Sequence, residues 1–473
     1  MGAPVRIQIV DQPDVFGLEH VRIDEVAETY GAVRCRGRVL PNVRPSCPAC
    51  GDGRKPSVHD YYVHEIADTP MRGRKTILEL EFPRFRHRCG QTLDGPRPSF
   101  LHRDLNATKR LVRYVEGQTF RRPVLDISRE VGLPEPEVRK LASKLAHRLH
   151  HRHRFPTPAV LAIDDLHIRR RLYTVVTDAI SGRAIALVEG GTYEAVRDEL
   201  RRRDFDFAAV RCIVTDMSGS NKKVVERLFK TVGAVHVADK WHVLRYAQKA
   251  LARVISQEIS RLEKPKKGTP PNEVAEMKAK AATIRDARRQ LMGSRLKDPN
   301  EKQGKLKLDK IGPVTASNQR ISAAFWSKIR LHQAYAALTR EDAIKLMLSY
   351  GRRAHEKSIR EEMLPALKHI WKHRQQILAY WSARWPDGSL IRPTTGPTER
   401  RNGSIRKIWR SAHGFRKHAL FELRALYEPW TLDVDIILCA EPHCYAAEGP
   451  SGSRARLFAP VQEADDIRCS DHR

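Results

Sequence analysis

The residues able to do chemistry in this chain are carboxylates far apart in sequence and one stretch that sets an acid among bases. The stretch is Thr395-Gly-Pro-Thr-Glu399-Arg-Arg-Asn402-Gly-Ser-Ile-Arg406-Lys-Ile-Trp-Arg410. Its Gly-Pro opening breaks a preceding element and starts a helix. At 3.6 residues per turn Glu399, Asn402, Arg406 and Arg410 fall along one stripe. An acid and guanidiniums on a common face suit a site that holds a metal ion and a polyphosphate backbone; a solvated helix face is the alternative. Upstream, Asp164 ends the apolar run Ala159-Val-Leu-Ala-Ile163, and Asp216 ends Ala209-Val-Arg-Cys-Ile-Val-Thr215. Two Asp and one Glu are the oxygen donors that a pair of Mg2+ (or Mn2+) ions requires. Such ions support in-line attack by water or a 3′-hydroxyl on a phosphodiester, with no covalent enzyme intermediate.

The elements around these acids read as α/β. After Phe155-Pro-Thr-Pro158 come strands over 159–163, 172–178 and 183–188, the last two joined by a turn in which Asp178 is a turn residue. A helix over Tyr193 to Arg203, a strand over 209–215, a helix near Asn221 to Lys230 and a strand over 234–238 follow. This β-β-β-α-β-α-β order predicts a ribonuclease-H-like fold, with three meandering strands extended by parallel ones through crossover helices. Pairing of the first and fourth strands sets Asp164 beside Asp216. Asp165 then points to the opposite face, solvated or bonded to the following loop, and Cys212 is strand filler. Asp216 lies 52 residues after Asp164, and Glu399 a further 183 residues on. The excess, Leu244 to about Leu390, has a helical pattern and reads as an all-helical insertion.

Towards the N-terminus, alternation over Val5 to Val10 and Tyr30 to Val39 predicts short strands. Cys47-Pro-Ala-Cys50 offers two thiolates that can grip one tetrahedral zinc. A second pair has candidates in Arg86-His87-Arg88-Cys89, after the hairpin-like stretch Ile77 to Phe82. From about 105 to 155 the period becomes helical. Val124 to Val131, Gly132 and the run through Val138 and Leu141 have the spacing of a helix-turn-helix, in which Arg139, Lys140 and Lys144 on the second helix are the candidate DNA contacts. Thirteen Lys+Arg against six Asp+Glu over 102–155 favour phosphate contact. A helical hairpin used only for packing is the alternative, since Glu135 and Glu137 lie at the end that should approach DNA.

Composition agrees with these readings. The chain has 473 residues, 41% hydrophobic and 30% charged, enough for several domains. The 86 Lys+Arg and 56 Asp+Glu leave a formal charge of +30, which favours a polyanionic partner. No run has the length of a membrane span and no basic-then-apolar leader opens the chain, so the reading is cytosolic. Eight cysteines in a chain this long fit a reduced compartment and a metal clip rather than a disulfide framework.

Taken together, Ile163-Asp164-Asp165, Asp216-Met217, Asp239-Lys-Trp-His242 and Glu399-Arg-Arg-Asn402 resemble the motif strings of the Asp-Asp-Glu transposases of bacterial insertion sequences, and the Glu399 stretch is similar to the Glu motif of the ISL-three family. The resemblance spans roughly residues 45 to 428. It implies Asp164, Asp216 and Glu399 as catalytic Mg2+ ligands, with Asp239, His242 and Asn402 in support. An N-cap aspartate with a packed histidine is the plainer reading of Asp239 and His242. The family has a second cysteine pair where this chain keeps only Cys89, so either His87 completes the Zn2+ site with Cys47, Cys50 and Cys89, or the ribbon has lost its metal.

The expected fold class is multidomain α+β. It comprises an N-terminal β region with a zinc-ribbon-like motif (1–104), a helix-turn-helix DNA-binding domain (105–155), a ribonuclease-H-like catalytic domain (156–245 and 391–430) interrupted by an all-helical insertion (246–390), and a partly disordered C-terminal tail (431–473) in which Cys439 and Cys444 are a weak candidate metal pair. The implied function is a transposase that binds double-stranded DNA at the terminal inverted repeats of its element and joins it to target DNA. It acts as a homo-oligomer on DNA, in the cytoplasm at the nucleoid, away from membranes. The competing reading is a catalytically inactive DNA-binding repressor or accessory protein of the same descent.

Overall fold

The computed structural model describes residues 5–8, 16–50, 53–293, 302–412, 415 and 417–428, with backbone alone for 5–8 and 302–308. Ile9, Val10, the tail beyond 428 and the Cys439/Cys444 pair lie outside the described residues.

The N-terminal region is one six-stranded sheet of β1 (Val5–Gln8), β2 (Val21–Glu28), β3 (Ala32–Val39), β4 (Ser57–Met71), β5 (Arg74–Arg86) and β6 (Thr92–Asp94), in the order β1-β2-β3-β5-β4 with β6 on β5. Thr76, Leu78, Leu80 and Phe82 of β5 alternate inward and meet Ile23, Val33, Cys35 and Ile66. This is a larger body than the small ribbon expected. Only two of the 15 residues of β4 are buried and the strand carries little apolar alternation, so only the 77–82 core of the hairpin stands out in sequence.

Three helices follow, α1 (Lys109–Thr119), α2 (Val124–Val131) and α3 (Glu135–Arg152). Thr108 caps α1 by accepting from Leu111 N. Gly132, at φ +76°, closes α2 in the left-handed region that a side chain resists. Val138 and Leu141 of α3 pack back on Ile127, Val131, Leu111 and Val115. That is the helix-turn-helix packing read from the spacing. The second half of α3 belongs to another core, where Ala142, Leu145, Ala146 and Leu149 pack with Leu166, Tyr173, Val175 and Phe421.

The second sheet has the order β11-β10-β7-β8-β9, formed by β7 (Val160–Ile168), β8 (Arg171–Asp178), β9 (Ala184–Glu189), β10 (Cys212–Thr215) and β11 (Val235–Ala238). The first three meander antiparallel, and β10 and β11 add in parallel on the side of β7, the topology expected of a ribonuclease-H-like sheet. One face is covered by α4 (Tyr193–Arg202) and α5 (Gly219–Leu228), through Val196, Leu200, Val224 and Val225. Strands buried on both faces carry continuous apolar runs, which is why these were legible.

The long interval before Glu399 holds α6 (Lys240–Glu263), α7 (Pro271–Met292), α8 (Lys302–Ser317), α9 (Gln319–Ala336), α10 (Arg340–Ala354), α11 (Arg360–Lys372) and α12 (Arg374–Leu378), after which α13 (Gly396–Ser411) and α14 (His418–Tyr427) return to the sheet. Val254, Ile284, Phe325 and Tyr350 of these helices share a single core with Val160, Ala162, Val214 and Val237 of the strands. Among the described residues the helices thus continue the hydrophobic core of the sheet.

Candidate active site and its zinc-ribbon neighbour

Parallel pairing of β7 with β10 sets Ile163 opposite Thr215, so Asp164, midway along β7, and Asp216, just past the end of β10, occupy the next position. Asp164 Oδ1 accepts from the backbone N–H of Asp165 at 2.9 Å, and its Oδ2 accepts from Asn402 Nδ2 at 2.7 Å. Burial, and beside it the charge of Asp216, push the Asp164 carboxyl up to about 6, against the pull of His242. Asp216 takes both of its hydrogen bonds on one oxygen, from Ser218 N at 3.0 Å and Asn221 Nδ2 at 2.8 Å. Asp165 turns to the other face as alternation requires, but it accepts from Thr174 of the neighbouring strand at 3.3 Å instead of from the following loop. Asp178 binds Ile180 N and Ser181 Oγ within its own turn.

Glu399 stands in the first turn of α13, and three contacts place that turn. Thr395 N donates to Asp239 Oδ1 at 3.1 Å, and Thr398 Oγ1 lies 2.7 Å from Thr177 Oγ1 of β8. Gly182, at φ +74°, passes Pro397 so closely that a Cβ would come within 3.0 Å of the proline Cβ. Asp239 is fully buried and caps α6, its Oδ2 accepting from His242 N at 3.1 Å and lying 3.0 Å from His242 Nδ1. Burial alone would raise the Asp239 carboxyl, but the hydrogen bonds from His242 and Thr395 hold it below the usual carboxylate range. His242 is correspondingly raised, despite burial, by Asp239, Asp164 and Asp216.

Asp239, His242 and Glu399 bring their ligand atoms within 4.8 Å of one another. Burial and then the charge of Asp239 raise the Glu399 carboxyl. The N-cap reading of Asp239 is therefore correct as far as it goes, yet the same carboxylate also ties the start of α13 to the site. Sequence reasoning gave these two residues a supporting place only. Their signal was Asp-x-x-His at a helix start, which sets both on one turn. Arg406 and Arg410 are exposed on α13, whereas Arg401, which sequence reasoning passed over, is buried and donates to Ala425 O of α14.

At the end of β5 a second cluster gathers Cys47, Cys50, His87 and Cys89 within 4.8 Å. Cys47 Sγ is 3.6 Å from Cys89 Sγ, and His87 Nδ1 is 3.3 Å from Cys50 Sγ and 3.1 Å from Cys89 Sγ. A tetrahedral zinc with ordinary bond lengths holds its sulfurs about 3.8 Å apart and its sulfur–nitrogen pairs about 3.5 Å apart. His87 thus fills the place of the missing fourth cysteine, and the donor set of three thiolates and one imidazole fits Zn2+.

A family model described as a transposase, of the ISL3 type of DDE transposase, matches residues 161–425, more than half of the chain. The chain belongs to this family. A second model, the zinc finger of the IS204/IS1001/IS1096/IS1165 transposases, matches residues 44–89, the span that holds the Cys3His cluster. No curated protein matches the chain. In this ISL3-family transposase, two of the three candidate DNA contacts on α3 are engaged in ion pairs, Arg139 with Glu135 one turn earlier and Lys144 with Asp104 at 3.5 Å. Lys140 is exposed. Among the described residues no helix is long and apolar enough to cross a membrane.

Proposed function

We propose that this chain is an active transposase that binds the terminal inverted repeats of its own element, cleaves the DNA strands there and joins the ends to target DNA. The observation that carries the reading is the Asn402–Asp164 hydrogen bond, which across 238 residues ties the helix of Glu399 to the strand that bears Asp164, itself paired with the strand that leads to Asp216. Burial has raised Asp164 and Glu399, and the amide oxygen of Asn402, in a side chain 3% exposed, makes no hydrogen bond. Crowded carboxylates beside an orphaned acceptor oxygen fit a hard cation, Mg2+ or Mn2+. Asp164, Asp216 and Glu399 would hold it, with Asp239, His242 and Asn402 adjoining. When bound, the metal supplies activation of a water or 3′-hydroxyl and charge stabilisation on the leaving oxygen.

The chain's own residues orient that centre. Asn402 fixes one oxygen of Asp164, Ser218 and Asn221 fix one oxygen of Asp216, and Asp239 holds the helix that carries Glu399. Arg406 and Arg410, exposed one helical face along from Glu399, provide guanidinium forks for the phosphates of the bound strand, and Arg139, Lys140 and Lys144 meet the repeat through the helix-turn-helix. Joining both ends of an element takes a copy at each end, hence a homo-oligomer on DNA at the nucleoid. The test is cleavage and strand transfer of a labelled terminal-repeat duplex in Mg2+. Asp164→Ala, Asp216→Ala and Glu399→Ala should each abolish cleavage and leave repeat binding intact. Wild-type cleavage by any of them removes that residue from the site, and binding without cleavage by the unaltered chain leaves the repressor reading in its place.

A further inference from the structure

Between the helix-turn-helix and the catalytic sheet lies a cleft of about 820 Å3 that the acid site does not use. Its walls come from the start of α2 and α3, from the tight turn between β7 and β8, and from the α13–α14 corner. Among the described residues six arginines line it, and Glu135 is the one acid. Arg122, Arg139 and Arg171 have partners in Glu130, Glu135 and Glu189. Arg169 and Arg170 pair with no carboxylate among the described residues.

Two further observations mark the cleft as built for an anion. Arg424 is 5% exposed and donates through Nε to Phe120 O and through Nη2 to Arg121 O, while its Nη1 is buried without an acceptor, as is the indole N–H of Trp409 beside it. A buried donor left unmade is costly, so both await an acceptor. The β7–β8 turn has two residues, and the first, Arg169, sits at φ +55°, where glycine or asparagine would be at ease. A long cation held in a strained turn position is the kind of outlier that points to use.

We infer that this cleft seats the phosphodiester backbone of a DNA strand on its way from the helix-turn-helix to the acids, an inference that rests on the transposase reading. The same two elements measure its distance from the chemistry. Asp164 to Ile168 along β7 spans about 13 Å, and Glu399 to Trp409 along α13 spans about 15 Å. At about 3.4 Å per nucleotide of one strand, the anchored phosphates lie about four nucleotides from the bond to be cut.

The test uses the full-length chain carrying both Arg169→Gly and Arg170→Gly. Glycine relieves the left-handed position of residue 169 and costs some chain entropy at residue 170, so the thermal midpoint should hold, separating lost binding from lost folding. Affinity for a random-sequence duplex, read by fluorescence anisotropy, should fall about ten-fold at moderate salt, and the slope of log K against log salt should become shallower by about two. A neutral methylphosphonate about four nucleotides from the cleavage site should weaken the unaltered chain and have no effect on the double variant. Unchanged affinity and slope in a folded double variant would overturn the cleft while sparing the transposase reading. Failure of the unaltered chain to bind DNA with any salt dependence would overturn both.

Discussion

Asp164 shows what a buried carboxylate costs the fold. Its carboxyl is raised to about 6, so without a cation the fold favours the protonated form. That contribution to stability is fully present below the unfolded carboxylate value and is lost as pH rises through about 6. At neutral pH the ionised group therefore costs the fold stability, which the proposed cation would offset. Asp164→Asn keeps the shape and removes the charge, and it should raise the stability of the metal-free chain by about 1–3 kcal/mol at about pH 8 while abolishing cleavage. Below about pH 4 the gain should vanish. Thermal melts in a chelating buffer at both pH values check this, and a loss of stability at the higher pH would show that Asp164 is structurally required as an anion. Asp164 and Asp216 were legible because each follows a continuous apolar run. The orphaned oxygen of Asn402 was not, since only the return of α13 to β7 creates it.

At the level of elements, the placement of α13 hangs on Asp239. Asp239→Asn keeps an oxygen for one partner but puts an amide donor where either Thr395 N or His242 must be accepted. Strand cleavage should fall at least ten-fold and stability by about 1–3 kcal/mol, because a buried donor loses its acceptor, while DNA binding measured in parallel should hold. Equal loss of binding and cleavage would mean that the whole fold, and not the Glu399 turn, depends on this bond. The ribbon gives a second prediction at this scale. One zinc per chain should be measurable by atomic absorption, and Cys50→Ser should lose it together with DNA affinity, while the far-ultraviolet spectrum holds, because the six-stranded sheet has its own apolar core. A metal-free chain that binds DNA as well as the parent would make the cluster a remnant. The period-2 pattern of β5 and the Gly132 turn could be read directly. The double duty of α3 could not, since Val138 through Leu149 form one amphipathic run in sequence and are divided between two cores only by what packs against them.

Across the whole molecule, that division decides what can be cut away. A fragment ending at residue 155 retains the sheet and the helix-turn-helix core but strips Leu145 and Leu149 of their cover from Tyr173 and Phe421. It should self-associate on size exclusion, and Leu145→Glu with Leu149→Glu should restore a monomer that still binds DNA with a steep salt dependence. A monomeric unaltered fragment would show that α3 rearranges when alone. The helices before Glu399 share the core of the sheet, so the protein also has a temporal order. Asp164 and Asp216 leave the ribosome early, and the 183 residues that separate Asp216 from Glu399 take about 10–40 s more to synthesise. The ribbon and the residues proposed to touch DNA on α3 therefore exist before the last acid does. On the proposed reading, a message broken between α3 and Glu399 would yield a product that keeps the DNA-binding elements and lacks the last acid, a built-in competitor of the finished protein.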